Sequence, residues 1–225
     1  MHIPDGFFNA ATSVGAGAVS AGTLAIGVKK AAVELQDRHA PLAGLVASFV
    51  FAAQMLNFPV AAGTSGHLLG GALAAVLVGP WAGCICVAVV VLVQVLFADG
   101  GLSALGLNLL LIAVVPAFAG YALFRLARLV LPRTAGAATI AAGVGAGLSV
   151  PVSAAVFSVL FAVGGTVDLS LRSVVVAMVG THLLIGIGEG VITAATVRAV
   201  LAVRPDLVHG AADLQRPLEL RRVDA

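Results

Sequence analysis

Long apolar stretches, cut by short clusters of charge and turn residues, set the pattern of this chain. Seven stretches are long enough to consider as membrane spans. They run roughly 8–28, 40–58, 66–79, 82–98, 104–124, 136–163 and 173–197. The first ends at Lys29-Lys30, the fourth at Asp99-Gly100-Gly101, and the fifth runs into Arg125 and Arg128. The sixth is Gly-rich and is expected to break at Pro151. The third is short and reads either as a re-entrant segment or as a short helix that tilts or thins the bilayer. Between Arg38 and Asp99 there is no Asp, Glu, Lys or Arg, which leaves room for about three crossings at roughly 20 residues each. Apolar runs of this length exclude the alternating strands of a membrane β-barrel. The fold class is all-α: a polytopic bundle of seven transmembrane helices.

Composition supports this. Of 225 residues, 60% are hydrophobic and only 10% charged, and mean hydropathy is +1.12. A soluble domain carries about 25% charged residues, so this chain cannot coat itself for water. The net charge of +2 is spread over separate loops, which speaks against a nucleic-acid surface. Charge also orients the bundle. With the N-terminus outside and the C-terminus cytoplasmic, Lys29, Lys30, Arg38, Arg125, Arg128, Arg133, Arg198, Arg204, Arg216, Arg221 and Arg222 all lie inside, and only Arg172 lies outside. If the third segment did not cross, that asymmetry would collapse. The start lacks the basic region of a cleavable signal peptide and reads as a mature terminus on the outer side.

Small residues recur at helical spacing: Gly143 and Gly147, Ala11 and Gly15, Ala18 and Gly22, Ala43 and Ala47. Such faces let helices approach closely, either within the bundle or against another membrane subunit. Cys84 and Cys86 point to different sides of one helix and read as small packing residues.

Candidate chemistry begins at the first two residues. Met1-His2 offers the α-amine, the His2 amide and the His2 Nδ1, which close a five-membered and a six-membered chelate ring. Three linked nitrogens favour a plane with one vacant position, a geometry suited to Ni(II) or Cu(II) and plausible for Co(II). A bulky second residue such as His keeps Met1 in place. On the same side, "FPVAAGTSGHLLGG" (58–71) carries His67 in a Gly/Ser/Thr-rich bend. His67 is either the fourth nitrogen or an interfacial His bonded to a backbone carbonyl. Polar residues also fall inside spans or at their ends: Gln54, Asn57, Gln94, Asn108, His182 and Glu189. His182 and Glu189 share one helix face two turns apart. They form either part of a proton relay or contacts that fix packing.

"MHIPDGF" (1–7), "AAQMLNFPVAAGTSGHLLGG" (52–71) and "GIGEGVIT" (186–193) together resemble the CbiM/NikM family, the substrate-capture membrane subunits of energy-coupling factor transporters for cobalt and nickel. The resemblance implies seven transmembrane helices and a metal held by the Met1 amine, the His2 amide and imidazole, and the imidazole of His67. Asn57, Thr64 and Ser65 would stand behind those ligands. Residues 1–203 would form the metal-capture domain and 204–225 a short cytoplasmic polar tail. The implied partners are a transmembrane coupling subunit, a pair of cytoplasmic ATPases and a separate small membrane subunit, all in the cell membrane. No Walker A pattern is present, so the chain is expected to be a transporter subunit rather than an enzyme, with no cofactor beyond the Co2+ or Ni2+ it carries. The family leans to cobalt, while planar nitrogens suit nickel at least as well. A self-sufficient proton-coupled transporter working through His182 and Glu189 is the competing reading.

Overall fold

The computed structural model describes residues 1–35, 40–60 and 63–214. Arg38, Arg216, Arg221 and Arg222, which entered the charge asymmetry, lie outside this range. The chain is helical almost throughout: α1 (Ala10–Glu34), α2 (Ala40–Gln54), α3 (Gly71–Val78), α4 (Pro80–Leu96), α5 (Leu105–Val130), α6 (Ala135–Gly164) and α7 (Leu171–Val203). Two short strands, β1 (Phe58–Pro59) and β2 (Ser65–Gly66), pair antiparallel in the loop before α3. Of these helices, α1, α5, α6 and α7 are long and apolar enough to cross a membrane by themselves. α2 and α4 are apolar but shorter.

The expected third span differs most from its helix. α3 has eight residues, about 12 Å at 1.5 Å per residue, against roughly 30 Å of hydrocarbon. Every residue of α3 is buried. It packs against α4, α5, α6 and α7 and forms the centre of the bundle. The rest of the expected span is irregular backbone, allowed at such a place only because protein surrounds it.

The first span starts later and ends later than its pattern suggested. Asn9 caps α1 by accepting from the Thr12 N–H at 2.9 Å, so Phe7 and Phe8 stay outside the helix. They pack instead on Phe157 and Phe161 of α6, with Phe8 edge-on to both. Lys29-Lys30 does not end the helix, which runs on to Glu34. The Glu34 carboxylate accepts the Trp81 and Ala82 N–H groups, each at 2.9 Å. Those are free donors at the start of α4, whose cap position, Gly79, has no side chain to offer.

Pro151 does not break α6, a correction to the sequence expectation. The carbonyl that Pro151 leaves unpaired, one turn back on Gly147, lies against the backbone of Gly186 on α7. A side chain at Gly186 would collide with it. Gly143 meets Gly190 in the same way, so the Gly143/Gly147 face packs inside the bundle, where α6 and α7 form the most extensive helix pair. By contrast, Gly15 and Gly22 on α1 face open space. α5 contains one π-helical segment, Leu109–Val114, just before Pro116, a wider turn of the kind found near functional sites. After α7, residues 205–214 form short 3-10 turns that fold back on the bundle. Val208 and Ala211 are buried there, and Asp213 pairs with Arg128 at 2.7 Å.

Gly79 is the strictest backbone position. Its φ of 102° and ψ of 152° belong to a region that only glycine occupies readily, and an added Cβ would strike the Glu34 carboxylate. Gly79→Ala is expected to cost about 1–3 kcal/mol before any clash is counted. Thermal unfolding of the purified protein in detergent should show a lower midpoint than wild type.

Candidate metal centre

The first nine residues are not a frayed end. Met1 and Ile3 are fully buried, and His2 is 3% exposed. The segment is held residue by residue. The His2 N–H donates to Ser65 Oγ at 3.3 Å, and the His2 carbonyl accepts from the Ser65 N–H at 3.3 Å. Asn108 on α5 grips Ile3 from both sides: the Ile3 N–H donates to Asn108 Oδ1 at 2.8 Å, and Asn108 Nδ2 donates to the Ile3 carbonyl at 3.2 Å. The Gly101 N–H adds a bond to the same carbonyl at 2.8 Å. Further on, Asp5 accepts from the Ser103 N–H and Oγ at 2.7 and 2.6 Å. Those two bonds hold its carboxyl below the usual carboxylate range. Gly101 must be glycine, because a Cβ there would run into the backbone of Asp5.

The loop before α3 brings His67, fully buried, against His2. The ring centroids are 4.6 Å apart. His67 Nδ1 lies 2.6 Å from the Leu68 carbonyl. A carbonyl only accepts, so Nδ1 carries the proton and Nε2 keeps a lone pair. That Nε2 has no partner, and neither does His2 Nδ1, both being buried. Asp99 Oδ1 is 3.2 Å from His2 Nδ1, close enough to pair with a protonated ring but without the alignment of a hydrogen bond. Two imidazole nitrogens are therefore left without hydrogen-bond partners on adjacent rings.

Burial is the main electrostatic fact at the chain start. It pushes the Met1 amine well below its ordinary pKa, with the charges of Asp99 and Glu189 opposing. It pushes His2 down to about 4, helped by the Met1 amine and opposed by Asp99 and by the bond to Gln94. Both shifts favour the neutral nitrogen, the form that ligates a metal. Among the described residues, no three side chains of His, Cys, Asp or Glu converge as a metal cage.

The outer residues sort as follows. Ser65 touches the His2 amide directly. Thr64 is buried, its Oγ1 3.9 Å from the Met178 sulfur. Asn57 is exposed and reaches the site only through Asp99, donating to Oδ2 at 3.1 Å. His182 is buried near the His67 loop, with its Nδ1 2.7 Å from the Met178 carbonyl of its own helix and its Nε2 unpartnered. Glu189 braces the loop: its two oxygens accept the Leu69 N–H at 2.6 Å and the Gly70 N–H at 2.9 Å. No hydrogen bond joins His182 to Glu189 among the described residues: Glu189 is satisfied by the loop before α3, while His182 bonds within its own helix and keeps Nε2 unpartnered.

Sequence reasoning noted Gln54, Gln94 and Asn108 as intramembrane polar groups without giving them roles, and saw Asp99 only as the end of a span. Asp99, Gln94 and Asn108 touch the first three residues, and Gln54 backs Gln94. Gln94 Oε1 is 3.0 Å from His2 Nε2, Gln94 Nε2 donates to Gln54 Oε1 at 2.8 Å, and Gln54 Nε2 donates to the Leu69 carbonyl at 2.7 Å. The one sequence signal was their polarity within apolar runs. On its outward side the site opens into a cleft of about 440 Å³, lined by His2, Asp5, Ser65 and Asp99 among others.

The chain is similar to known proteins in both sequence and overall fold. Residues 2–207 match the CbiM family, described as the cobalt uptake substrate-specific transmembrane region. A putative metal transport protein of Haloquadratum walsbyi is 44% identical over 209 residues, which cover 92% of this chain and 93% of that one. A putative fused nickel transport protein, NikMN, of Archaeoglobus fulgidus is 38% identical over 93% of this chain and 68% of its own length. A cobalt transport protein, CbiM, of Sorangium cellulosum is 38% identical over 76% of each chain. The crystal structure of a transition metal transporter superposes with a TM-score of 0.82 at 28% identity, covering 90% of this chain and 93% of that one. A truncated transition metal transporter gives 0.81 at 29% identity, with 90% and 99% covered. With nearly the whole chain matched, this protein belongs to the CbiM family of cobalt-uptake transmembrane proteins.

Proposed function

We propose that this chain captures Co2+ or Ni2+ from outside the cell through its own N-terminus, as the substrate-binding membrane subunit of an ATP-driven importer. The ligands are the Met1 amine, the His2 amide nitrogen, His2 Nδ1 and His67 Nε2. One observation carries this reading: two unpartnered imidazole nitrogens on adjoining buried rings, beside a chain start that is itself buried. An unsatisfied buried nitrogen costs about 1–3 kcal/mol, and a cation would turn that cost into binding. On binding, the His2 amide gives up its bond to Ser65 and releases its proton to solvent water in the adjoining cleft. The cleft beside Asp99 and Asp5 offers a cation its first negative charge on the way in.

In this reading the chain crosses the membrane seven times, N-terminus outside, with the third crossing completed by the irregular loop stacked ahead of α3. The metal moves on when a coupling subunit reorients the bundle, powered by separate ATPases and assisted by a small membrane subunit. The open small-residue face of α1 suits such a neighbour.

Placing one residue before Met1 turns the amine into an amide and is expected to abolish metal binding, as measured by isothermal titration of untagged and extended protein. Equal affinity in the two would refute the chelate. His67→Ala is expected to lower affinity strongly while leaving the thermal midpoint near wild type. Glu189→Gln separates this reading from proton-coupled transport. It should lose one of the two bonds to the Leu69 and Gly70 N–H groups, cost about 1–3 kcal/mol of stability, and speed hydrogen exchange at those amides. A proton carrier would instead lose transport with stability and exchange unchanged.

A further inference from the structure

We infer that Gln94, backed by Gln54, fixes the tautomer of His2 and so determines which of its nitrogens is free for the metal. The inference rests on the metal-capture reading above.

The direction of the relay can be read from its far end. The Leu69 carbonyl only accepts, so the group 2.7 Å from it is the Gln54 NH2. Gln54 therefore presents its oxygen to Gln94 at 2.8 Å, and Gln94 must donate there. Gln94 is left presenting its own oxygen to His2 Nε2 at 3.0 Å. That nitrogen must carry a proton, and in a neutral ring Nδ1 then keeps the lone pair. Reversing the amides would set the Gln54 oxygen against the Leu69 oxygen, with no access of solvent to relieve the clash, since Gln54 and Gln94 are both fully buried.

The lock is needed because something pulls the other way. Asp99 Oδ1, 3.2 Å from Nδ1, favours a proton on that nitrogen. A proton there would occupy the position of the six-membered chelate ring. The Leu69 peptide unit anchors both ends of the site: its carbonyl terminates the relay to His2, and its N–H is held by Glu189. Gln94 is thus a positioning residue, acting on the metal through the imidazole.

The test reads the tautomer itself. Untagged, metal-free protein with 15N-labelled histidine is examined by long-range 1H–15N correlation, and the His2 signals are identified by their loss in His2→Ala. Wild type is expected to carry its proton on Nε2. In Gln94→Met, similar in length but with only a weakly accepting sulfur in place of the amide oxygen, the proton moves to Nδ1 facing Asp99, and Co2+ and Ni2+ affinities fall about tenfold to a hundredfold. Gln94→Glu, whose neutral carboxyl can donate to Gln54 Oε1 and still accept from Nε2, keeps the tautomer. A wild-type proton on Nδ1 would overturn the inference, as would a Gln94→Met protein with tautomer and affinity unchanged. If Gln94→Met does not fold, wild type and Gln94→Glu still decide it. The tautomer is measured without metal, so its result is separate from the N-terminal extension experiment that tests the capture reading.

Discussion

The Glu189 carboxylate and the two N–H groups it accepts hold the centre of this structure together. A buried carboxylate is costly to place in an apolar bundle, and hydrogen bonds to charged groups return about 1.5–3 kcal/mol each. The groups it satisfies are those most in need of a partner. They lie just ahead of α3, on the residue before its cap and on the cap itself, Gly70, a left-handed glycine with no side chain. Because the same loop carries His67, fixing the start of α3 fixes the ring. Glu34 repeats the device at α4. The two central helices thus begin without caps of their own and borrow acceptors from α7 and α1. Their depth and angle are tied to the outer helices for that reason.

The metal centre depends on the same economy of parts. Three of its proposed nitrogens belong to two consecutive residues, so chelation needs little preorganisation in sequence. It needs much in space, because a chain end is ordinarily mobile. The fold supplies this through Asn108, Gly101, Ser65 and Ser103, each bonded to the first five residues. None of these is among the proposed ligands. Asn108 sits at the edge of the π-helical segment of α5, and Gly100 and Gly101 supply the space into which the N-terminal strand fits.

Much of this was legible in the sequence, and the division has physical reasons. Hydrophobic runs located the long helices because lipid-facing and core-facing positions are both apolar there. Met1, His2 and His67 stood out because their chemistry is local, though for His67 the sequence also offered a bond to a backbone carbonyl, and its Nδ1 does face that of Leu68. The eight-residue α3 was hidden because irregular backbone buried in protein has the same composition as a span. Pro151 misled because its effect depends on α7, where Gly186 leaves room for the freed carbonyl. The Gln54–Gln94 relay joins residues 40 apart, and its direction depends on a carbonyl in a third segment. No periodicity encodes a link of that kind.

Burial of Met1 also shields the chain end from processing. An amine with no exposed surface is beyond the reach of any enzyme that trims or unblocks chain ends. With Phe7 and Phe8 set against α6, trimming or unblocking that end is expected to require that the segment leave its place in the bundle.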